Sequence, residues 1–344
     1  MKNYVRLLTR LCLAACLVSL LPARASAWGG PGHRIVARIA VWRLKQLDAR
    51  NAQRQINRIF TAQPDQNSDP RNIVTAASWP DSPAVRDNED YEFANDLHFI
   101  SIPRKKNSID ASTPCRKTND VKEGVCITGG IEHFRRQLIS PKNNHERRDA
   151  LSFIVHFIGD IHQPLHASED LDFNNGKGDR GGNFRTVCYL NQSVCTSPDV
   201  NSCQQDPSAC SIVSNNKRKR RELHKVWDNF MFETQMDSKH LNLTEEQYAD
   251  HLIRTKAAKM TDAMLAEIEQ GDPTAWAEES HALAKSVVYE LPNPLMKKNP
   301  DGTLQAHYFV STQYRDANVG RAEDQLIRAG LRLAMYLRQI YPDN

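Results

Sequence analysis

The chain predicts an all-α fold, a single mostly helical domain. Three observations carry that prediction. Apolar residues recur at helical spacing in successive stretches, from residues 31–47 to residues 320–341. Thr244 and Gln247 have the spacing of a capping box, which opens a helix. No stretch shows strong strand alternation, internal repeats or a second compositional regime.

Residues 1–27 read as a secretory leader. Lys2, Arg6 and Arg10 precede the apolar run LCLAACLVSLLPA, and Ala25-Ser26-Ala27 supplies a small-residue cleavage site. No other apolar run is long enough to span a bilayer. The expected mature protein is residues 28–344, secreted or periplasmic, with a retained N-terminal anchor as the competing reading. The chain has 45 basic and 41 acidic residues; the leader holds Lys2, Arg6, Arg10 and Arg24 and no acid, leaving 41 of each. Global basicity therefore lends nothing to nucleic-acid binding. Of the eight cysteines, Cys12 and Cys16 lie in the leader. The even set that remains reads as disulfides in an exported chain. Cys115 with Cys126 is the expected local pair. Cys188, Cys195, Cys203 and Cys210 allow three connectivities. A zinc knuckle is the alternative for those four, disfavoured by oxidising surroundings and irregular spacing.

Taken in order, residues 31–47 form a helix with proline in its first turn. Residues 48–62 continue as a second helix, and 64–72 are a polar loop. Residues 73–84 form a short helix that breaks at Pro80. Residues 103–125 are polar and irregular, and 131–138 form a short helix. The central helix follows, with Leu151, Ile154, Val155 and Ile158 on one side, and Pro164 ends or bends it. Residues 170–221 form a long loop, of a kind usually functional or disulfide-tied. It contains GDRGGN at 178–183 and the basic run KRKRR at 217–221, which reads as a solvated surface more readily than as a phosphate site. A helix resumes near Glu222, a long one runs from 244 to about 268, and two more occupy 276–289 and 320–341.

The central stretch is HFIGDIHQPLH at 156–166. His156 and Asp160 are four apart, so both point from one face of a helix. His166 follows from the turn. Two nitrogens and one carboxylate converging there suit a borderline metal such as zinc. The plainer reading is a buried histidine oriented by an aspartate. His224 and Asp228 repeat the spacing on a second helix, or form a surface pair. Asp81, in ASWPDS, sits at a helix break, as a metal ligand or a cap. His98, in LHFI, is embedded among apolar residues and needs a partner if buried. His33 lies close behind the new N-terminus. His162 faces away from the His156–Asp160 stripe and is read as outer support or surface. His133, His145, His240, His251, His281 and His307 are read as structural or exposed.

Collected in order, these motifs resemble a known family. WGGPGH at 28–33, ASWPD at 77–81, LHFI at 97–100, HFIGDIHQPLH at 156–166, GGN at 181–183 and LHKVWD at 223–228 are similar to the zinc-dependent nuclease and 3′-nucleotidase family of the S-one/P-one type. WAEESHALA at 276–284 and the C-terminal helix also resemble it. The resemblance covers nearly the whole mature chain and implies a helical fold with three zinc ions in one cleft. By position, Asp81, His98, His156 and Asp160 would hold the first. His166, His224 and Asp228 would hold the second. The third would take His33, Asp160 as a bridge, and the free α-amino and carbonyl groups of Trp28. Asp81 and Asp160 are thus the carboxylates expected at the reacting centre.

The implied chemistry is hydrolysis of single-stranded RNA and DNA to 5′-phosphate products, and of 3′-nucleotides, by an in-line water that bridges two zincs. Phe99 is the expected base-stacking residue. Asn183 and Asn229 are candidates for base or phosphate contacts. Two departures from fungal relatives stand out. Ser101 to Lys106 replaces an acidic stretch, so Lys106 and its basic neighbours become phosphate candidates or a solvated loop, and the carboxylate orienting the water is left open. The cysteine-bearing insertion at about 184–221 is also longer. The expected state is a monomer without membrane insertion. A zinc phospholipase C, which typically has glutamate where Asp228 stands, and an exported zinc-binding protein without turnover are the competing functions.

Overall fold

The structure, a computed structural model, describes residues 28–62, 70–189, 221–236, 242–291, 295–298 and 304–343. Residues 1–27, residues 217–220 of the basic run, His240, and Cys195, Cys203 and Cys210 lie outside the described residues, as do the side chains of Cys188 and His307.

Helix α1 (Gly30–Gln46) has Pro31 in its first turn, where a missing N–H costs no helical bond. Helix α2 (Arg50–Thr61) follows after a tight turn. Helix α3 (Ile73–Ser78) is opened by Asn72, whose side chain accepts the N–H groups of Val74 and Thr75. It tightens into a 3₁₀ turn at Trp79–Asp81, around Pro80. Helix α4 (Ile127–Ile139) starts earlier than residue 131, because Cys126 is its N-cap and anchors it through a disulfide to Cys115. Gly124 closes that loop at φ 124°, and a Cβ there would lie 2.6 Å from Cys115 Sγ.

Helix α5 (Asn144–Asp160) is capped by Asn143, which accepts the Glu146 N–H at 2.8 Å. Its apolar residues suggest one buried side, yet every residue from Arg148 to Asp160 is buried. It is a central strut, packed by α1, α3 and α4. Phe134 of α4 stacks on Phe153 of α5 at 4.2 Å between centroids. The helix stops at Asp160, ahead of Pro164, which opens the 3₁₀ turn Pro164–Ala167.

The segment after Glu222 is helical but not uniformly so. Leu223–Lys225 and Met231–Met236 flank a π turn at Val226–Phe230. The capping box at Thr244 is present, but the helix expected to reach 268 is two helices, α6 (Glu245–Thr255) and α7 (Asp262–Ile268). Lys256 leaves helical geometry at φ −123°, and its Nζ binds Glu323 at 2.9 Å and Asp324 at 2.8 Å. Thr261 then caps α7. Helix α8 (Pro273–Leu283) runs into a π turn at Ala284–Val288. Helix α9 (Thr312–Ile340) begins ahead of residue 320, at the Ser311 cap, which accepts the Tyr314 N–H at 3.0 Å.

Among the described residues four short strands accompany the helices. They are β1 (Thr186–Tyr189), β2 (Arg221–Glu222), β3 (Leu295–Lys298) and β4 (Leu304–Val310), in the order β2-β1-β4-β3. Strands β1 and β4 pair in parallel, while the other pairings are antiparallel. A strand of 2 or 4 residues is too short to show alternation. The architecture is still mostly helical. No helix among the described residues is long and apolar enough to cross a membrane.

Helix α9 packs across α1 at Gly330. A Cβ there would lie 2.6 Å from Ile39 Cβ and 2.9 Å from the Val36 carbonyl oxygen. Helix propensity alone makes Gly330→Ala stabilising by about 1 kcal/mol. The contact reverses the sign, and the expected outcome is a loss of about 1–3 kcal/mol in denaturant unfolding.

Candidate metal centre

Helix α5 delivers the centre. Asp160, the last residue of α5, is fully buried and uses both oxygens. Its Oδ2 lies 3.0 Å from His98 Nδ1 and 3.2 Å from His156 Nε2. Its Oδ1 lies 3.1 Å from His33 Nε2 on the other side. Asp81, from the 3₁₀ turn after α3, brings Oδ1 to 3.6 Å from His156 Nε2 and 3.8 Å from His98 Nδ1. A second group sits beside the first. His166 Nε2 lies 3.0 Å from His224 Nε2, which lies 3.3 Å from Asp228 Oδ2. Trp28 is buried next to this array. Its Nε1 donates to the Gly159 carbonyl at 2.8 Å, and Gly29 donates its N–H to the Asp228 carbonyl at 3.1 Å. The π turn explains that last bond. Met231 donates to Val226 rather than to a carbonyl four residues back, leaving an out-of-register turn around Asp228.

The protonation pattern is set by backbone carbonyls. His156 Nδ1 donates to Ala77 at 2.7 Å, His166 Nδ1 to His98 at 2.7 Å, and His224 Nδ1 to Gly181 at 2.6 Å. A carbonyl oxygen only accepts, so in each neutral ring the proton is on Nδ1 and Nε2 is a bare lone pair. The Nε2 atoms of His166 and His224 thus face each other as two acceptors. A shared proton is opposed at His166, whose pKa burial holds well below the ordinary histidine value, with His224 adding to the effect. Burial also holds His33 and His98 well below that value. Burial works against His156 as well, but the Asp160 and Asp81 carboxylates outweigh it and raise its pKa. Burial raises Asp160 to about 7 and Asp228 well above the carboxylate range.

These residues fit a metal. Three groups bring their ligand atoms within 4.8 Å of one another: His98, His156 and Asp160; His33, Asp81 and His156; and His166, His224 and Asp228. Both ring nitrogens of His33, Asp160 Oδ1 and Asp228 Oδ2 are buried with no hydrogen-bond partner. Buried acceptors without donors are costly, and a cation resolves the cost. His33 groups with Asp81 and His156 in one set, but its nearest carboxylate oxygen belongs to Asp160. The shorter distance favours Asp160 as its partner.

A cavity of about 410 Å³ opens over the second group, between Phe99, Leu165, His166, Asn183 and His224. Phe99 and Asn183 therefore line the same cavity as His166 and His224. Two other candidates do not line it. Asn229 lies against Gly29, where its Oδ1 occupies the space of a glycine Cβ. Lys106 pairs with Asp110 at 3.0 Å, because residues 103–106 turn away beside residues 169–172; Lys105 pairs there with Asp172 at 2.7 Å and Arg104 with Asp170 at 3.1 Å. His162 is no surface residue. It is buried, donating to the Ile158 carbonyl at 2.7 Å and accepting from Arg332 at 3.0 Å. A larger cavity, of about 910 Å³ beside Arg104 and Lys285, contains none of the clustered ligands.

Sequence reasoning missed three residues. Arg86 pairs with Asp81 and lines the cavity. Gln163 donates to Asp228 Oδ1, leaving Oδ2 turned to the histidines. Arg180 lines the same cavity. Arg86 lies one short turn beyond Asp81, and that spacing was its only signal.

A mostly helical frame around a buried histidine–aspartate cluster is the arrangement of a helical protein with a candidate metal site. The description "S1/P1 Nuclease" matches residues 28–196 and 203–342, and the chain belongs to that family, a family of zinc enzymes. It is 25% identical to Endonuclease 4 of Arabidopsis thaliana over 327 residues, covering 92% of this chain and 90% of the relative. It is 26% identical to Nuclease S1 of Aspergillus oryzae over 322 residues, 90% of each chain. It is 24% identical to Nuclease P1 of Penicillium citrinum over 327 residues, covering 91% of this chain and 98% of the relative.

Metal uptake will release protons. Burial raises metal-free Asp160 to about 7, so at pH 6 its carboxyl holds a proton that a cation must expel. At pH 8.5 the Asp160 proton is already gone. Calorimetry of zinc binding in buffers of different ionisation enthalpy is expected to show more protons released at pH 6 than at pH 8.5. Equal release at both would contradict the buried carboxylate.

Proposed function

We propose that the protein is an exported, zinc-dependent endonuclease. It hydrolyses single-stranded RNA and DNA to 5′-phosphate products and also takes 3′-nucleotides. The observation that carries this is the convergence of His166 Nε2 and His224 Nε2, 3.0 Å apart, with the buried Asp228 Oδ2 at 3.3 Å from His224 under the cavity. We assign Asp81, His98, His156 and Asp160 to one zinc, and His166, His224 and Asp228 to another. His33, the second oxygen of Asp160, and the amino and carbonyl groups of Trp28 go to a third. Export with cleavage after Ala27 supplies that amino group. The family match beginning at residue 28 supports the same boundary.

Zinc bound there supplies Lewis-acid polarisation of phosphate oxygens and lowers the pKa of a bound water toward neutrality. The protein's own groups do the rest. Asp160, held at the end of a helix buried on every side, keeps two neighbouring ligand sets in register. Gln163 fixes Asp228 so that only one oxygen turns to the centre. Arg86 sets a guanidinium at the cavity wall and takes a phosphate oxygen, while its ion pair orients Asp81. Phe99, half-buried at that wall, stacks an unpaired base, which a duplex cannot offer. No side-chain nucleophile is required.

The test uses zinc-loaded protein beginning at Trp28, assayed on single-stranded DNA, RNA, a 3′-nucleotide and phosphatidylcholine. The expected result is cleavage of the first three, lost on chelation and restored by zinc, with the lipid intact. Lipid cleavage alone, or nucleic-acid cleavage undiminished in zinc-stripped protein, would contradict the proposal.

A further inference from the structure

The loop after Gly178 presents two side chains that the metal centre does not use. Arg180 lines the cavity together with Phe99. Its guanidinium carbon lies 5.4 Å from the ring centroid of Phe184. Phe184 is 44% exposed, one of few large apolar side chains left in solvent among the described residues. Single exposed apolar residues are ordinary; an aromatic ring tied by an arginine to the rim of a catalytic cavity is a more specific arrangement.

The loop is built to hold that arrangement. Arg180, Gly181 and Gly182 all have positive φ, at 49°, 58° and 78°. An arginine in that region is strained by about 1 kcal/mol or more and persists only where its surroundings fix it. They do so here. Asp179 is fully buried and accepts from Arg185 at 2.6 Å and Tyr289 at 3.2 Å, while its carbonyl accepts the Phe184 N–H at 3.0 Å. The Arg180 carbonyl accepts from the Asn183 side chain at 2.8 Å. Gly181 holds His224 through its carbonyl, and a larger residue would not fit there, since a Cβ would meet the Leu165 carbonyl oxygen at 2.4 Å. The turn that orients a ligand histidine therefore also fixes the Arg180–Phe184 pair.

We propose that Arg180 and Phe184 form a second nucleotide subsite. It adjoins the cavity that Phe99 also lines. Arg180, between the cavity and the ring, takes a backbone phosphate, and Phe184 stacks the base of that nucleotide. The ligand class is a single-stranded oligonucleotide with an unpaired base on each side of the cut. The proposal rests on the nuclease reading above.

A dinucleotide and its two singly abasic analogues test it, against wild-type protein, Phe184→Ala and Phe184→Tyr, each with zinc content measured. In wild-type protein, removing one of the two bases is expected to raise KM about tenfold through loss of a stack on Phe184. That penalty is expected to vanish in Phe184→Ala and to return in Phe184→Tyr, at equal zinc content. A penalty of the same size in Phe184→Ala would overturn the subsite alone. A wild-type protein that cleaves neither the dinucleotide nor a longer single strand would overturn the nuclease reading and the subsite with it.

Discussion

Three backbone carbonyls determine what this protein can bind. Those of Ala77, His98 and Gly181 each take the Nδ1–H of a buried histidine. Each bond fixes a ring orientation and a tautomer together, and each leaves Nε2 as a lone pair pointing inward. Two of those lone pairs meet at 3.0 Å with a buried carboxylate alongside. Without a cation, that arrangement places acceptors against acceptors. With one, the same atoms form a preorganised ligand set.

The fold exists around that demand. Carbonyl positions are only as fixed as the segments that carry them, and here all three are tied to other elements. Ala77 lies on α3, packed on α5. His98 receives no freedom from its own segment either, since Ile100 donates to the His166 carbonyl at 2.8 Å and Ile127 to that of Phe99 at 2.9 Å. Gly181 sits in a turn pinned by Asp179 and Leu165. Helix α5 delivers Asp160 from the middle of the core, where rigidity is greatest. The cost is concentrated in buried carboxyl groups whose pKa values rise, and a bound cation offsets it.

Much of this was legible in the sequence, and the reason is periodicity. The His156–Asp160 and His224–Asp228 spacings read directly as shared faces, because residues four apart on a helix meet. Helix caps at Asn72, Thr244 and Ser311 are local hydrogen bonds, although only Thr244 was noticed. The sheet was not legible, since β1 pairs with β4 across more than a hundred intervening residues, and short strands lack a pattern of their own. Nor were the carbonyl partners, for a backbone oxygen has no side-chain signature. The acids that pair with Arg104, Lys105 and Lys106, namely Asp170, Asp172 and Asp110, are matched to them only in space. Gln163 lay in plain view within HQPLH, but its partner is 65 residues away.

The proposed function requires one bridging aspartate and three sets of ligands to hold three zinc ions. Diffraction from crystals of the protein beginning at Trp28, with anomalous differences recorded at the zinc edge, tests it most directly. The predicted result is three peaks. One lies among Asp81, His98, His156 and Asp160, one among Trp28, His33 and Asp160, and one among His166, His224 and Asp228. A single peak, or zinc bound by cysteines instead, would contradict the account.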